Sequence, residues 1–153
     1  MRKDRLYTDS SVIGGCHDAE FAEDSHRLID AARKGIVTLL LSDVVIREIG
    51  KAPQKVQDIL RSLTTASLEK VDLTTEVLEL RNAYISAGIL APKWIDDATH
   101  VAAATVARAD AIVSWNFMHI VRLDKIKAFN QVNLLHGYGI LTIITPKEIR
   151  YDE

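Results

Sequence analysis

Trp94-Ile95-Asp96-Asp97-Ala98-Thr99-His100-Val101-Ala102-Ala103-Ala104 opens with two adjacent acids and runs at once into an alanine-rich helical pattern. Alanine favours helix and acids suit the positive end of the helix dipole, so a helix begins at this pair. Shortly after it, Ala111-Ile112-Val113-Ser114-Trp115-Asn116 reads as a strand ending in polar residues. A helix that starts on acids, beside a strand with a polar end, predicts a site at the edge of a parallel sheet.

The chain on either side supplies that sheet. Arg5-Leu6-Tyr7-Thr8 is a first strand, followed by Asp9-Ser10-Ser11 as a polar turn, Gly14-Gly15, and a helix over residues 17–34 closed by Gly35. Ile36 to Leu41 is a continuous apolar run, as expected of a strand covered on both faces. Ser42-Asp43 can cap a helix from Val44 to Ile49, and Pro53 opens another that runs to about Leu63. Residues 66–71 form a weaker strand, and Thr74 caps a helix that closes at Gly88. The Asp97 helix reaches Arg108, Ala111 to Ser114 is the fourth strand, Asn116 to Leu135 contains a helix, and Ile140 to Thr145 is the fifth strand. Alternating strands and helices predict an α/β fold with a mainly parallel sheet and helices on both faces, as one domain over residues 1–153.

Bulk properties narrow the function. The 153 residues are 48% hydrophobic and 26% charged, as in ordinary globular domains. A net charge of -2 gives no global basic field, so any nucleic-acid contact must be local. Cys16 is the one cysteine, which excludes an intrachain disulfide and a cysteine-rich zinc site. No apolar run reaches the ~18 residues of a membrane span, and Met1 to Leu6 does not resemble a signal peptide, so a cytoplasmic protein is expected. No GxGxxG or Walker-type lysine motif accompanies Gly14-Gly15, and no Gly-x-Ser-x-Gly elbow accompanies Ser10 or Ser11.

In open α/β sheets ligands bind beyond the carboxyl ends of strands. Asp9 lies just past the first strand, with Ser114 and Asn116 at the end of the fourth, so they meet if those strands are neighbours. Glu48, on the short helix after the second strand, can overlook the same edge. Spacing alone does not bring Asp96 or Asp97 there, because their helix leads into a strand. Carboxylates gathered at one place repel, and a hard divalent cation with oxygen ligands removes that conflict.

These segments resemble the PIN-domain family of nucleases, which includes VapC-like toxins of toxin–antitoxin pairs. Tyr7-Thr8-Asp9-Ser10-Ser11-Val12 is similar to the family's opening strand-Asp motif, and Ser42-Asp43-Val44-Val45-Ile46-Arg47-Glu48 to its second-acid segment. Asp97-Ala98-Thr99-His100-Val101-Ala102-Ala103-Ala104 resembles its Asp-Ala-x-His-x-Ala-Ala helix, and Ala109 to Phe117 its strand ending in Thr/Ser-x-Asp. The resemblance spans nearly the whole chain and implies a PIN-like, flavodoxin-like three-layer fold with about five strands. It further implies a Mg2+- or Mn2+-dependent ribonuclease acting on RNA, with Asp9, Glu48 and Asp97 as metal ligands and Ser114 and Asn116 tuning the water network. An antitoxin protein and a homodimer are the partners it implies. Asn116 stands where the family often has aspartate, and loss of that charge is expected to weaken a second metal site.

Each residue also has a plainer role. Asp9 can end a strand in an Asx-turn. Asp96 and Asp97 can both cap a helix; the motif favours Asp96 as the cap and Asp97 as the ligand. Ser11, Arg47, His119 and Arg122 are candidate RNA contacts, while Lys125 and Lys127 read as a solvated helix face. His100 reads as a packed, hydrogen-bonding histidine. Trp115 reads as core, Trp94 as an interface or lid residue, and Cys16 as incidental.

Overall fold

The computed structural model describes residues 2–63 and 65–151. Five parallel strands, β1 (Asp4–Thr8), β2 (Val37–Ser42), β3 (Leu68–Val71), β4 (Ala111–Val113) and β5 (Ile143–Ile144), lie in the order β3-β2-β1-β4-β5. The chain moves outward from β1 to β2 and β3, then returns to the other side of β1 with β4. The reversal between β1 and β4 is the topological switch point, where the crevice of such a sheet opens. Leu39, Leu40, Ile112 and Val113 are completely buried, as a sheet with helices on both faces requires.

Helix α1 (Ser10–Gly15) follows β1 after a single residue. Asp9 is extended (φ -85°, ψ -178°), and its carboxylate accepts from the Ser11 backbone N–H, which starts a helix where the sequence suggested a turn. The helix expected from residue 17 begins instead at Ala22, as α2 (Ala22–Arg33). Asp18 is the reason: its carbonyl accepts from Phe21 and Ala22, and its carboxylate from Glu20 N–H, holding the intervening residues in a turn. Gly15, at the end of α1, packs so closely on α2 that an added Cβ would lie 2.7 Å from Ser25 Oγ.

Helices α3 (Asp43–Gly50), α4 (Gln54–Arg61) and α5 (Thr75–Ser86) follow the expected order, and Thr74 caps α5 through Val77 N–H at 3.3 Å. Ser42 occupies the N-cap of α3 without a side-chain cap bond, because its hydroxyl turns inward to Tyr7. A 3-10 turn over Pro92–Trp94 leads into α6 (Ile95–Val106), in which every residue from Ala98 to Thr105 is buried. Four alanines in that run let the backbone approach its neighbours closely. Asp96 does not cap α6: Trp94 is the N-cap residue, and the Asp96 carboxylate pairs with Arg47 at 2.9 Å.

Helix α7 (Leu123–Leu135) lies within the stretch where the sequence placed a helix. Asn116 accepts N–H groups from Ile120 and Val121 through its backbone and from His119 through its side chain, and so holds a turn ahead of the helix. The fifth strand shrinks for a related reason. Asn130 of α7 bonds both the N–H and the carbonyl of Leu141, at 2.7 and 3.1 Å, and draws that residue off the ladder. Lys125 is half-buried and donates to the Ile89 carbonyl at 2.5 Å, so it is not a solvated residue as expected, whereas Lys127 is exposed. Among the described residues, no helix is long and apolar enough to cross a membrane.

Candidate functional site

Asp9 sits at the switch point, 4% exposed, in the gap between β1 and α1. Ser114, the residue after β4, donates to its Oδ2 at 2.6 Å, and Ser11 Oγ donates to its Oδ1 at 2.5 Å. Ser11 Oγ accepts in turn from Trp115 N–H at 2.8 Å, and Ser114 Oγ from Asn116 N–H at 2.9 Å. The end of β4 is thereby laced to the start of α1 through one carboxylate. Burial pushes the Asp9 carboxyl above its ordinary range, with His100 and the two serine hydroxyls opposing the shift and Asp97 adding to it.

Glu48 comes in from α3. It accepts from His100 Nε2 at 2.9 Å and from Ser10 Oγ at 3.3 Å. An ionised carboxylate only accepts, so Nε2 carries the proton in this bond. His100, 1% exposed on α6, shares its Nδ1 with Tyr7 OH at 2.8 Å, and Tyr7 OH meets Ser42 Oγ at 2.8 Å. Ser42, Tyr7, His100 and Glu48 make one chain of hydrogen bonds from β2 through β1 and α6 to α3. Burial works against ionisation of both Glu48 and His100. Their mutual bond and attraction prevail, lowering the Glu48 carboxyl and raising the His100 imidazole, which also feels Asp9 and Asp97.

Asp97 arrives from the first turn of α6, where its Oδ2 accepts from His119 Nδ1 at 2.7 Å. Trp94 lies against that imidazole, with ring centroids 4.4 Å apart. His119 is further fixed by its own N–H, which donates to Asn116 Oδ1 at 2.9 Å. The connector through Trp94 therefore carries the start of α6 to the carboxyl edge of the sheet.

Asp9, Glu48, Asp97, Ser114 and Asn116 thus gather at one edge, with Ser11 and His119 among them. Ser11 is turned toward Asp9 and Trp115, and His119 toward Asp97. Arg47 and Arg122 are engaged elsewhere, the first paired with Asp96 and the second with Asp124 at 2.6 Å. Trp115 is core as expected, stacked on Phe21, while Trp94 is partly exposed. Cys16 is buried. Tyr7 and Ser10 were not singled out in the sequence. Tyr7 is an inward, fully buried residue of β1 that reads in sequence as core, and only its hydroxyl betrays a role; Ser10 lay hidden in the presumed turn.

The donor set suits a hard cation in kind: carboxylates, hydroxyls and an amide. Glu48 Oε2 and Asp97 Oδ1 are not used in the bonds to the two histidines. Among the described residues, no three His, Cys, Asp or Glu side chains converge tightly enough to enclose an ion. An ion there would take one or two carboxylates directly and complete its shell with water.

No family model matches the chain, and no curated protein matches it. Among solved structures, the crystal structure of VapBC2 from Rickettsia felis bound to a DNA fragment from their promoter is similar, with a TM-score of 0.59 and 15% identity. The match covers 92% of this chain and 98% of that one. The fold is PIN-like. At this identity the likeness speaks for the arrangement of strands and helices, and a PIN-like three-layer fold is what the sheet order displays.

Proposed function

We propose that this chain is a metal-dependent endoribonuclease, and that its cation is Mg2+ or Mn2+. The observation carrying the reading is the arrival of Asp9, Glu48 and Asp97 from three separate elements at the switch point of a PIN-like sheet. Asp9, Glu48 and Asp97 would hold the ion, directly or through water. Bound there, it would supply an activated water and neutralise charge on a phosphoryl oxygen of RNA. The protein's own share is positioning. Ser11 and Ser114 fix both oxygens of Asp9, His100 aims Glu48, and His119 aims Asp97, in the manner of the outer hydrogen bonds that orient metal-binding carboxylates. Asn116 holds the 116–121 turn and contributes a neutral amide where a further carboxylate would strengthen the site.

Purified Asp9→Asn and Asp97→Asn are each expected to lose Mg2+- or Mn2+-dependent cleavage of single-stranded RNA; unchanged cleavage by both would sink the assignment. By analogy with the VapBC2 assembly, the partner is a small antitoxin protein, and the chain acts in the cytoplasm as a homodimer. Co-purification with the product of the neighbouring gene tests the first of these partners.

A second reading is a PIN-like RNA- or protein-binding module of low activity. It is favoured by Asn116, whose side-chain oxygen is engaged by His119 N–H, and by the protein partners each acid already has. Calorimetric titration with Mn2+ separates the two, since a folded protein that takes up no metal is the module.

A further inference from the structure

Phe21 and Trp115 stack face to face, with centroids 4.3 Å apart and planes inclined by 21°, and Phe117 tilts against both at 6.3 and 6.2 Å. The three rings wall a cavity of about 470 Å3 whose rim carries Glu20, Lys147 and Glu148. Its size falls within the range of clefts that take small planar ligands. Phe117 is 49% exposed, an apolar ring offered to solvent rather than to the core. The Trp115 indole is buried, with its N–H satisfied by Ser25 Oγ at 2.8 Å, so it backs the wall, and the ring surface open to a ligand is that of Phe117. The Trp115 backbone N–H donates to the Ser11 hydroxyl that holds Asp9, so the residue whose ring backs the wall is joined through its main chain to the acid edge.

We infer that this cavity is a base-binding subsite, taking one unpaired nucleobase of an RNA strand next to the phosphodiester at Asp9; the inference rests on the ribonuclease reading and names where its substrate is gripped. The rim distinguishes base from phosphate. Glu20 and Glu148 are acids, which repel a phosphate, and Glu148 is tied to Thr145 N–H and Oγ1 at 2.5 and 2.7 Å. Exposed Lys147 can meet the flanking backbone. Stacking on rings tolerates any base, because every base has a π-face, so the subsite selects for single-stranded RNA before it selects a sequence.

The test compares two fluorescein-labelled single-stranded RNA heptamers, one complete and one with a single abasic position, by anisotropy in EDTA, where stacking needs no metal and the RNA stays uncut. The complete heptamer is expected to bind about tenfold more tightly than its abasic counterpart and to quench tryptophan emission. Phe117→Ala is expected to remove that difference and Phe117→Trp to keep it, with both variants folded by circular dichroism. Equal affinity of the wild type for the two heptamers overturns the subsite and leaves the cavity to a protein side chain. Unchanged discrimination in folded Phe117→Ala overturns it as well. If neither heptamer binds, the RNA reading of the whole edge falls with it; if they bind without discrimination, only the subsite falls.

Discussion

The two ends of the sheet handle charge in opposite ways. At the amino end, Arg5 of β1 grips Glu69 of β3 with Nε and Nη2 at 3.0 and 2.5 Å and donates Nη1 to the carbonyls of Ala107 and Arg108. Asp110 accepts from the Arg5 backbone at 2.7 Å and from Arg2 at 2.9 Å. Glu69 and Asp110 each face a guanidinium. At the carboxyl end, Asp9, Glu48 and Asp97 share a neighbourhood in which the direct partners are hydroxyls and imidazoles. The amino end closes the fold with guanidinium pairs, and the carboxyl end gathers three carboxylates whose charged partners are imidazoles. The ion pairs and the candidate site thus lie at different ends of the same strands.

The largest expected effect separates the two roles within one residue. Asp9→Asn should reduce RNA cleavage by ~100-fold or more, while its thermal midpoint in EDTA rises by ~2–4 °C, because a neutral amide no longer confines a charge in a buried gap. Asp110→Asn at the amino end should lower the midpoint. If Asp9→Asn also lowers it, the contrast between the ends is wrong. Next in size, Tyr7→Phe and His100→Gln should weaken metal binding or cleavage by ~10–100-fold with the fold retained, as expected when a group that aims a ligand is lost. Full activity in both would remove the hydrogen-bonded chain from any role.

Gly15→Ala tests how tightly the carboxyl edge is built. The new methyl would meet Ser25 Oγ at 2.7 Å and the Trp115 ring at 3.1 Å, and a loss of ~1–3 kcal/mol in urea unfolding is expected. Arg5→Met should lose only ~0.5–1 kcal/mol, since the Arg5–Glu69 pair is partly exposed to solvent. A pH series gives the gentlest contrast. The His100 imidazole is raised from 6.5, so its contribution is complete below 6.5 and is lost as pH rises through the raised value. Glu48 is lowered from 4.5; its contribution is present above 4.5 and lost as pH falls through the lowered value. Asp9 is raised from 3.8, so its ionisation weakens the fold as pH climbs through the window above 3.8. Metal-free wild type should therefore lose stability on going above pH 6.5, and His100→Gln should flatten that limb.

The sheet was legible because its strands are buried on both faces, which writes runs such as Val37 to Leu41 plainly into the sequence. Their order was not, since nothing local tells β4 to return beside β1. Helix starts were the weak point. Asp9, Asp18 and Asn116 each set a boundary through side-chain bonds to nearby backbone, and such bonds look alike in a sequence whether they begin a helix or hold a turn. For the candidate site, the motif segments pointed to Asp9, Glu48 and Asp97, which the fold brings to one sheet edge, but the capping argument misassigned Asp96, whose partner Arg47 lies far away in sequence. The Tyr7–His100–Glu48 chain joins residues from three elements, and no spacing rule links them.

Asp9 has one further property. The carboxylate offered to the site also accepts the Ser11 backbone proton, at 3.2 Å, and starts α1. Whatever draws on its Oδ1 must therefore loosen the first turn of that helix. Deuterium uptake at the single amide of Ser11, followed with and without added cation, would turn this helix cap into a built-in reporter of occupancy.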